Sequence, residues 1–534
     1  MVAMLESLAR RVLRDDPVHD DGPPSLRRFG LAGLAAGGVA VVGAVMGGSS
    51  FVSHLPGAWF FGTPGGPLGS VAASASRAPA LAILFLYGGL GALAAVWWRL
   101  LRALRAHPGT SLRQVVRVVA AWAVPFAVAP PLFSRDVYSY AGQGALVTFH
   151  INPYHYGPGV LGATPFNLLA GPLWANTPSP YGPTFLSLDG LVTQLSGHQF
   201  LADLVLLRLL SVLGLVLIVA SLPTLARSVG RDPSFAVALG AGSPMVLATI
   251  VGGAHNDGLM VGLLVAGLAA WLRWGPTAGI VLCALAAGVK APAVLGLVLI
   301  GWNWPPPGAG FVRRGARTLL ALGLGGAVLA ALSAVSGVGW GWVVNLTAGD
   351  KISTGVTPVD DVTRGLAGLL HLAGATTPTG SVRAVVAVCA MAMAMAIGTW
   401  LLWHSPRLGP LRALGLSLLV LALFSPVLWA WYLTWGLVLL APVATGLLRR
   451  AVVWLSVCET IIGASSVLGI LRSLRHDGVL ADVLVVLGVA GAVLLALRGR
   501  YELRDATWSG SPAARRAGRT PGVTSAVQNP HPGR

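Results

Sequence analysis

Charge is what this chain has least of. Only 10% of its residues are Asp, Glu, Lys or Arg, against about 25% in a soluble globular domain, and the mean hydropathy is +0.75. That composition excludes an ordinary soluble globule. Lysine is nearly absent: Lys290 and Lys351 are the only two, so the net charge of +18 comes from arginine. Cysteine is scarce as well. Cys283, Cys389 and Cys458 each lie inside an apolar run, far from one another. They read as small buried hydrophobes, not as a disulfide framework or metal set. CxxC, HExxH, paired-histidine and GxxxxGKS/T patterns are all missing, which leaves zinc-enzyme motifs and ATP-driven transport without support. Basic blocks interleaved with aromatics are missing too, so no nucleic-acid partner is expected.

What the chain does have is a series of apolar runs of about 20 residues, the length that crosses a bilayer as a helix. The runs do not alternate apolar and polar residues as barrel strands do. In lipid only helices and closed barrels satisfy every backbone group. The expected fold is therefore an all-α polytopic membrane protein, a bundle of about 12–14 transmembrane segments with large outer loops. Helices are expected at about 29–49, 78–98, 115–132, 201–226, 234–252, 258–272, 318–337, 382–403, twice within 411–448, and at 451–470 and 479–497. No strong internal repeat stands out.

Arginine sets the orientation. Arg99, Arg102, Arg105, Arg113 and Arg117 crowd the turn between the second and third runs, the mark of a cytoplasmic loop. The third helix then runs outward and delivers Asp136 to the outer face. The run 277–302 precedes Arg313, Arg314 and Arg317. A single crossing would put those arginines outside, so two half-spans are expected, with an apex at Gly288–Pro292 and Pro292 at the break. Arg472 and Arg475 would lie outside, against the charge rule but tolerable near an anionic ligand. The domain reading is a cytoplasmic arm over 1–28, a membrane domain over 29–497 with outer loops at about 133–200 and 338–381, and a basic, disordered cytoplasmic tail over 498–534. Both termini of this multi-pass plasma-membrane protein would be cytoplasmic.

The longest polar interruption is residues 133–183, which holds most of the tyrosines and opens with Arg135 and Asp136. Residues 136–149 lack proline and suit a short interfacial helix. The stretch beyond is cut by Pro153, Pro158, Pro165, Pro172, Pro178, Pro180 and Pro183 and reads as irregular. Topology brings four features to the outer side: Asp136, the His255-Asn256-Asp257 turn, Lys290 and the segment SPVLWAWYLTW. The residues alone leave Asp136 open between helix cap and catalyst. Asn256 and Asp257 read first as caps of the next helix. The Trp/Tyr cluster reads first as an interfacial belt, and Asn152-Pro153-Tyr154 and Tyr181-Gly182-Pro183 as turns. A lysine inside an apolar run is expensive and points to a functional cavity or a partner. One chemistry uses all of these: sugar transfer from a lipid phosphate to a hydroxyl. A carboxylate takes the hydroxyl proton, a cation stabilises the departing phosphate, and aromatic faces hold sugars.

The ordered set SRDVYSYAGQG, INPYHYGP, SPYGPTF, GGAHNDGLM, GVKAPA and SPVLWAWYLTW, spanning about 134–435, resembles the GT-C polytopic glycosyltransferases. Within them it is most similar to the actinobacterial polyprenol-phosphomannose-dependent alpha-1,6-mannopyranosyltransferases of lipomannan and lipoarabinomannan assembly. The resemblance implies a polyprenyl-phosphate mannose donor, a glycolipid or mannan acceptor, inverting displacement, an alpha-1,6 product, and a loop acid as base, which here is Asp136. Around it the expected substrate-binding residues are Arg135, Tyr138, Asn152, Tyr154, Tyr181, His255, Asn256, Asp257, Lys290, Trp431 and Tyr432. Many relatives carry two adjacent acids in that loop; here Arg135 precedes a single Asp136, so neither metal nor other cofactor is expected. The alternatives are a lipid-linked sugar flippase, which would need polar residues along a path through the bundle, where Arg208 is the main mid-span charge, and the same fold using another polyprenyl-phosphate sugar.

Overall fold

The computed structural model describes residues 25–46, 79–345 and 357–465, and every element among them is helical. The expected outer loop at 50–77, Lys351, the last span at 479–497 with Arg472 and Arg475 before it, and both terminal segments lie outside the described residues.

The first three helices are α1 (Leu26–Met46), α2 (Pro79–Ala106) and α3 (Leu112–Val128). Gly43 abuts the Leu86 backbone and Gly89 abuts Ala40, so α1 and α2 are antiparallel. Gly30 faces Val118 and Gly37 faces Phe126, so α1 and α3 run side by side in the same direction. Glycine lets these backbones approach closely, which is how helices associate where lipid tails compete for apolar contact. Arg27, Arg28, Arg99, Arg102, Arg105, Arg113 and Arg117 consequently share one end of the bundle. The arginine pattern had foretold this grouping.

α3 stops before Pro130 and Pro131, which have no N–H to continue the ladder. The Phe126 carbonyl, left without a residue-130 donor, accepts instead from Arg208 Nη1. Arg208 sits within the helix Phe200–Ser228 and is buried. The mid-span charge thus serves an orphaned carbonyl. Two helices follow at the far end, α4 (Asp136–Thr148) and α5 (Pro183–Leu195), joined by helical turns at Pro158–Leu161, Pro165–Leu168 and Gly171–Ala175. α4 was expected as an interfacial helix. Residues Asp136–Leu146 are instead all buried, because those turns and α5 close over it. α5 was not expected at all. Proline density suggested an irregular chain to residue 200, but Pro183 is at the first helical position, where a missing N–H costs nothing.

The chain then runs through α6 (Phe200–Ser228), α7 (Pro233–Gly240), a π-type turn at Val246–Gly252, α8 (Asp257–Trp274), α9 (Pro276–Val289) and α10 (Val294–Asn303). It continues with α11 (Phe311–Ser336), α12 (Pro358–Leu372), α13 (Thr379–Trp403), α14 (Pro410–Leu423), α15 (Thr434–Leu440) and α16 (Gly446–Ser465). The 229–234 turn is tied to the arginine end: Asp232 accepts from Gly109 N–H at 3.0 Å, and Ser234 Oγ donates to the Thr110 carbonyl at 2.6 Å. The opposite end is closed by Leu132 N–H donating to the Gly252 carbonyl at 2.8 Å.

α9 and α10 form the expected hairpin. A methyl on Gly279 would lie 3.0 Å from Ile300 Cδ1, and one on Gly296 would lie 3.1 Å from Cys283 Sγ. Both pairings keep one antiparallel register about the Val289–Lys290 joint. α14 and α15 make a second such hairpin, with Gly415 against Leu440 and Gly436 against Leu419. Among the described residues six helices, Leu26–Met46, Leu81–Ala106, Phe200–Ser228, Asp257–Trp274, Phe311–Ser336 and Thr379–Trp403, are long and apolar enough to cross a membrane. The chain is an all-α polytopic membrane protein in which short hairpins stand among full-length spans.

Candidate active site

Asp136, His255, Asp257 and Lys290 gather at the end away from the arginine turns. Two backbone devices deliver them. Phe133 (φ 66°) and Ala254 (φ 53°) occupy the left-handed region without being glycine, a conformation that costs energy and clusters at functional sites. One stands three residues before Asp136, the other immediately before His255. The π-type turn at Val246–Gly252 contributes too, since such widened turns are frequent at functional sites: its Thr249 carbonyl accepts from His255 Nδ1 at 2.6 Å.

Asp136 is freed from capping. Arg135 is the N-cap of α4 and makes no side-chain cap bond; the Asp136 N–H is taken by Ser134 Oγ at 3.0 Å. The buried Asp136 side chain, 7% exposed, accepts from Trp174 Nε1 at 3.1 Å through Oδ1 and faces His255 Nε2 at 3.8 Å through Oδ2. His255 stacks on Trp431 with ring centres 3.8 Å apart, and Trp431 stacks on Trp429 at 5.1 Å.

Asp257 is not the helix cap the residues suggested. Its buried carboxylate holds Lys290 Nζ, with both oxygens at 2.9 Å, and accepts from Trp435 Nε1 at 2.6 Å. A charge at 0% exposure needs such partners. Asn256 makes no side-chain cap bond either, and its amide is buried without a hydrogen-bond partner. Lys290, in extended conformation at the hairpin apex, lies 4.4 Å from the Tyr432 ring centre and 5.9 Å from that of Tyr181. The turn that leads into α5 seats directly on the apex: a methyl on Gly182 would lie 2.5 Å from the Gly288 carbonyl oxygen. Tyr181 meets Tyr140 edge-on at 5.4 Å.

The electrostatics follow from burial. Desolvation pushes His255 below its ordinary 6.5, opposed by Asp136 and Asp257 and aided by Lys290. Desolvation, with Asp136 and Asp257 nearby, holds the Tyr181 and Tyr432 phenols well above their ordinary range. Both are neutral hydroxyls at physiological pH.

The structure thus brings together Asp136, Tyr181, His255, Asp257, Lys290, Trp431 and Tyr432, with Asn256 in the same turn. It does not bring in the rest. Arg135 is half-buried against Gly171, supporting the turn that carries Trp174. Tyr138 is fully buried and stacked on Phe200 at 6.3 Å. Asn152 Oδ1 accepts from Tyr154 N–H at 2.8 Å, a local turn. Tyr154 packs with Leu186 and Val338, and its carbonyl accepts from Asn345 Nδ2 at 2.8 Å. Tyr154 thus ties the segment before α5 to the segment after α11. Trp174 was missed: it lies in a stretch without periodicity, 38 residues from its partner. Among the described residues no group of three or more His, Cys, Asp or Glu side chains is placed to hold a metal ion.

A polar patch with a carboxylate, an imidazole, an ammonium and stacked aromatic walls, at one end of an apolar bundle, defines an integral-membrane group-transfer enzyme. Comparison with known proteins makes this specific. Residues 31–306 match the family profile described as "Alpha-(1->6)-mannopyranosyltransferase, N-terminal domain", and residues 360–496 match the "MptB C-terminal domain". The chain is 33% identical to alpha-(1->6)-mannopyranosyltransferase A of Mycobacterium tuberculosis over 70% of its own length and 73% of that protein's. It is 30% identical to a probable alpha-(1->6)-mannopyranosyltransferase of Mycolicibacterium smegmatis over 80% and 81%, and 29% identical to alpha-(1->6)-mannopyranosyltransferase B of Corynebacterium glutamicum over 62% and 59%. No solved structure matches it. The chain belongs to the alpha-(1->6)-mannopyranosyltransferase family and is a membrane-embedded glycosyltransferase.

Proposed function

We propose that this chain transfers mannose from a polyprenyl-phosphate mannose to a hydroxyl of a growing mannan or lipoglycan by inverting displacement, forming alpha-1,6 linkages. The observation that carries this reading is the shared patch: the Asp136 carboxylate and the Lys290 ammonium lie in one aromatic-walled patch around His255, which faces Asp136 and whose charge environment includes Asp136, Asp257 and Lys290.

Asp136 Oδ2 is the base. Trp174 occupies the other oxygen, which orients the carboxylate toward the acceptor hydroxyl. As the hydroxyl oxygen attacks the anomeric carbon, its proton passes to Asp136 and the phosphate departs with the pair from the C–O bond. Lys290 balances the developing phosphate charge. Asp257 and Trp435 hold Lys290 in place. Trp431, Tyr432 and Tyr181 offer ring faces and neutral hydroxyls to the sugars. The apolar helices hold the polyprenyl tail, so the chain needs no nucleotide site. With the arginine turns on the cytoplasmic side, the patch faces outward.

The test is transfer by purified protein from radiolabelled polyprenyl-phosphate mannose to a short alpha-1,6-mannoside. The expected product carries one added alpha-1,6-mannose, identified by NMR. Transfer from a nucleotide sugar but not from the lipid donor overturns the reading.

A further inference from the structure

The geometry points to a two-residue proton acceptor: we propose that Asp136 and His255 share the proton taken from the acceptor hydroxyl, with His255 Nε2 as its second seat. The inference rests on Asp136 being the base.

The tautomer of His255 can be deduced. A backbone carbonyl only accepts, and the Thr249 carbonyl lies 2.6 Å from Nδ1. Nδ1 therefore carries the hydrogen, and in the neutral ring Nε2 presents a lone pair. That lone pair is buried, has no hydrogen-bond partner, and faces Asp136 Oδ2 at 3.8 Å. Two acceptors confront one another with no donor between them. A buried polar atom left in this way is costly. A proton arriving between them removes the conflict.

The reaction supplies that proton. The acceptor O–H bond breaks as the new glycosidic C–O bond forms; the anomeric C–O bond to phosphate breaks and its electron pair leaves with the phosphate. The proton lands on Oδ2 and a small closure brings it within hydrogen-bond distance of Nε2. Trp174 holds Oδ1, and the Trp431 ring stacked on His255 at 3.8 Å keeps Nε2 aimed at Oδ2. The charged groups facing the imidazole are Asp136 from α4, Asp257 from α8 and Lys290 from the hairpin apex; the first two favour the imidazolium and Lys290 opposes it. When His255 is protonated beforehand, Nε2–H donates to Oδ2 and blocks the base. The acid limb of the rate profile therefore reports the pair, not a lone carboxylate.

Two readouts test this. The first is histidine-selective 15N NMR of the full-length protein in detergent, with His255 assigned by its loss in His255→Gln. The expected wild-type signal is an Nδ1–H tautomer whose titration moves to lower pH in Asp136→Asn, because the negative neighbour is gone. An Nε2–H tautomer, or a titration unmoved in Asp136→Asn, overturns the proposal. The second is the pH dependence of transfer in His255→Gln and in His255→Phe, which keeps a ring against Trp431. kcat should fall at least tenfold, with the acid limb shifted to lower pH in whichever variant retains measurable turnover. An unchanged acid limb at reduced kcat means that the ring only packs. Full transfer activity in Asp136→Asn would instead remove the base itself, a separate failure.

Discussion

Replacing Lys290 by methionine should cost more stability than its partial exposure suggests. The ammonium is 2.9 Å from both oxygens of Asp257, whose side chain is 0% exposed, while that of Lys290 is 13% exposed. Lys290→Met leaves a buried carboxylate with only the Trp435 N–H at 2.6 Å. Stripping one partner from a buried pair costs about 3–5 kcal/mol. The surviving charge-assisted bond compensates part of the carboxylate, so about 3 kcal/mol is expected. Most of that loss comes from the stranded charge. Asp257→Asn with Lys290→Met should therefore be the more stable of the two variants, by about 2 kcal/mol. The assay is equilibrium unfolding in mixed micelles of rising SDS fraction, read by circular dichroism for the wild type, both single variants and the double. If the effects of the single variants add in the double to within about 0.5 kcal/mol, the pair carries no coupling, and the assignment of Asp257 as the anchor of Lys290 fails.

Other outcomes follow from the same geometry. Trp174→Phe removes the N–H bound to Asp136 Oδ1 and should lower kcat about 10- to 100-fold, the worth of a hydrogen bond to a charged group, with the folded content unchanged by circular dichroism. Gly182→Ala pushes a methyl to 2.5 Å from the Gly288 carbonyl oxygen, a backbone atom with no room to give; the loop must lift off the hairpin apex, and amide hydrogen exchange at 181–184 and 288–292 should rise. His255 is held below its ordinary 6.5 by burial. As pH drops through that value the unfolded chain takes up the proton first, so unfolding scans should show stability falling below about pH 6.5 and less of a fall in His255→Gln.

The sequence showed the bundle more clearly than the site. Arginine placement sorted the ends of α1, α2 and α3, and the parity of Arg313, Arg314 and Arg317 required the hairpin that carries Lys290. Those signals are legible because lipid penalises misplaced charge. The Pro-rich stretch resisted reading because a proline at a helix start and one in an irregular loop look alike in sequence; Pro183 starts α5. Within the site, Asp136, His255 and Lys290 stood out as charges or polar groups in apolar company. Trp174 did not, since a tryptophan beside prolines carries no period and its value depends on a fold that returns it to Asp136. Asn152 and Tyr154 read as a turn from the residues and as substrate-binding only through the family resemblance; the turn reading holds, and the Tyr154 carbonyl ties it to Asn345 beyond α11. Asn256 and Asp257 looked like caps, because nothing local says that a lysine 33 residues on will claim the carboxylate.

The most direct measurement is the transfer rate of Asp136→Asn with lipid-linked mannose and an alpha-1,6-mannoside acceptor, beside the wild type in the same detergent. With Asp136 as the residue that takes the proton, kcat should be at least about 100-fold lower, with lipid-donor binding retained because Lys290 and the apolar helices are untouched. A rate within a few-fold of the wild type would contradict the account and move the base elsewhere in the patch.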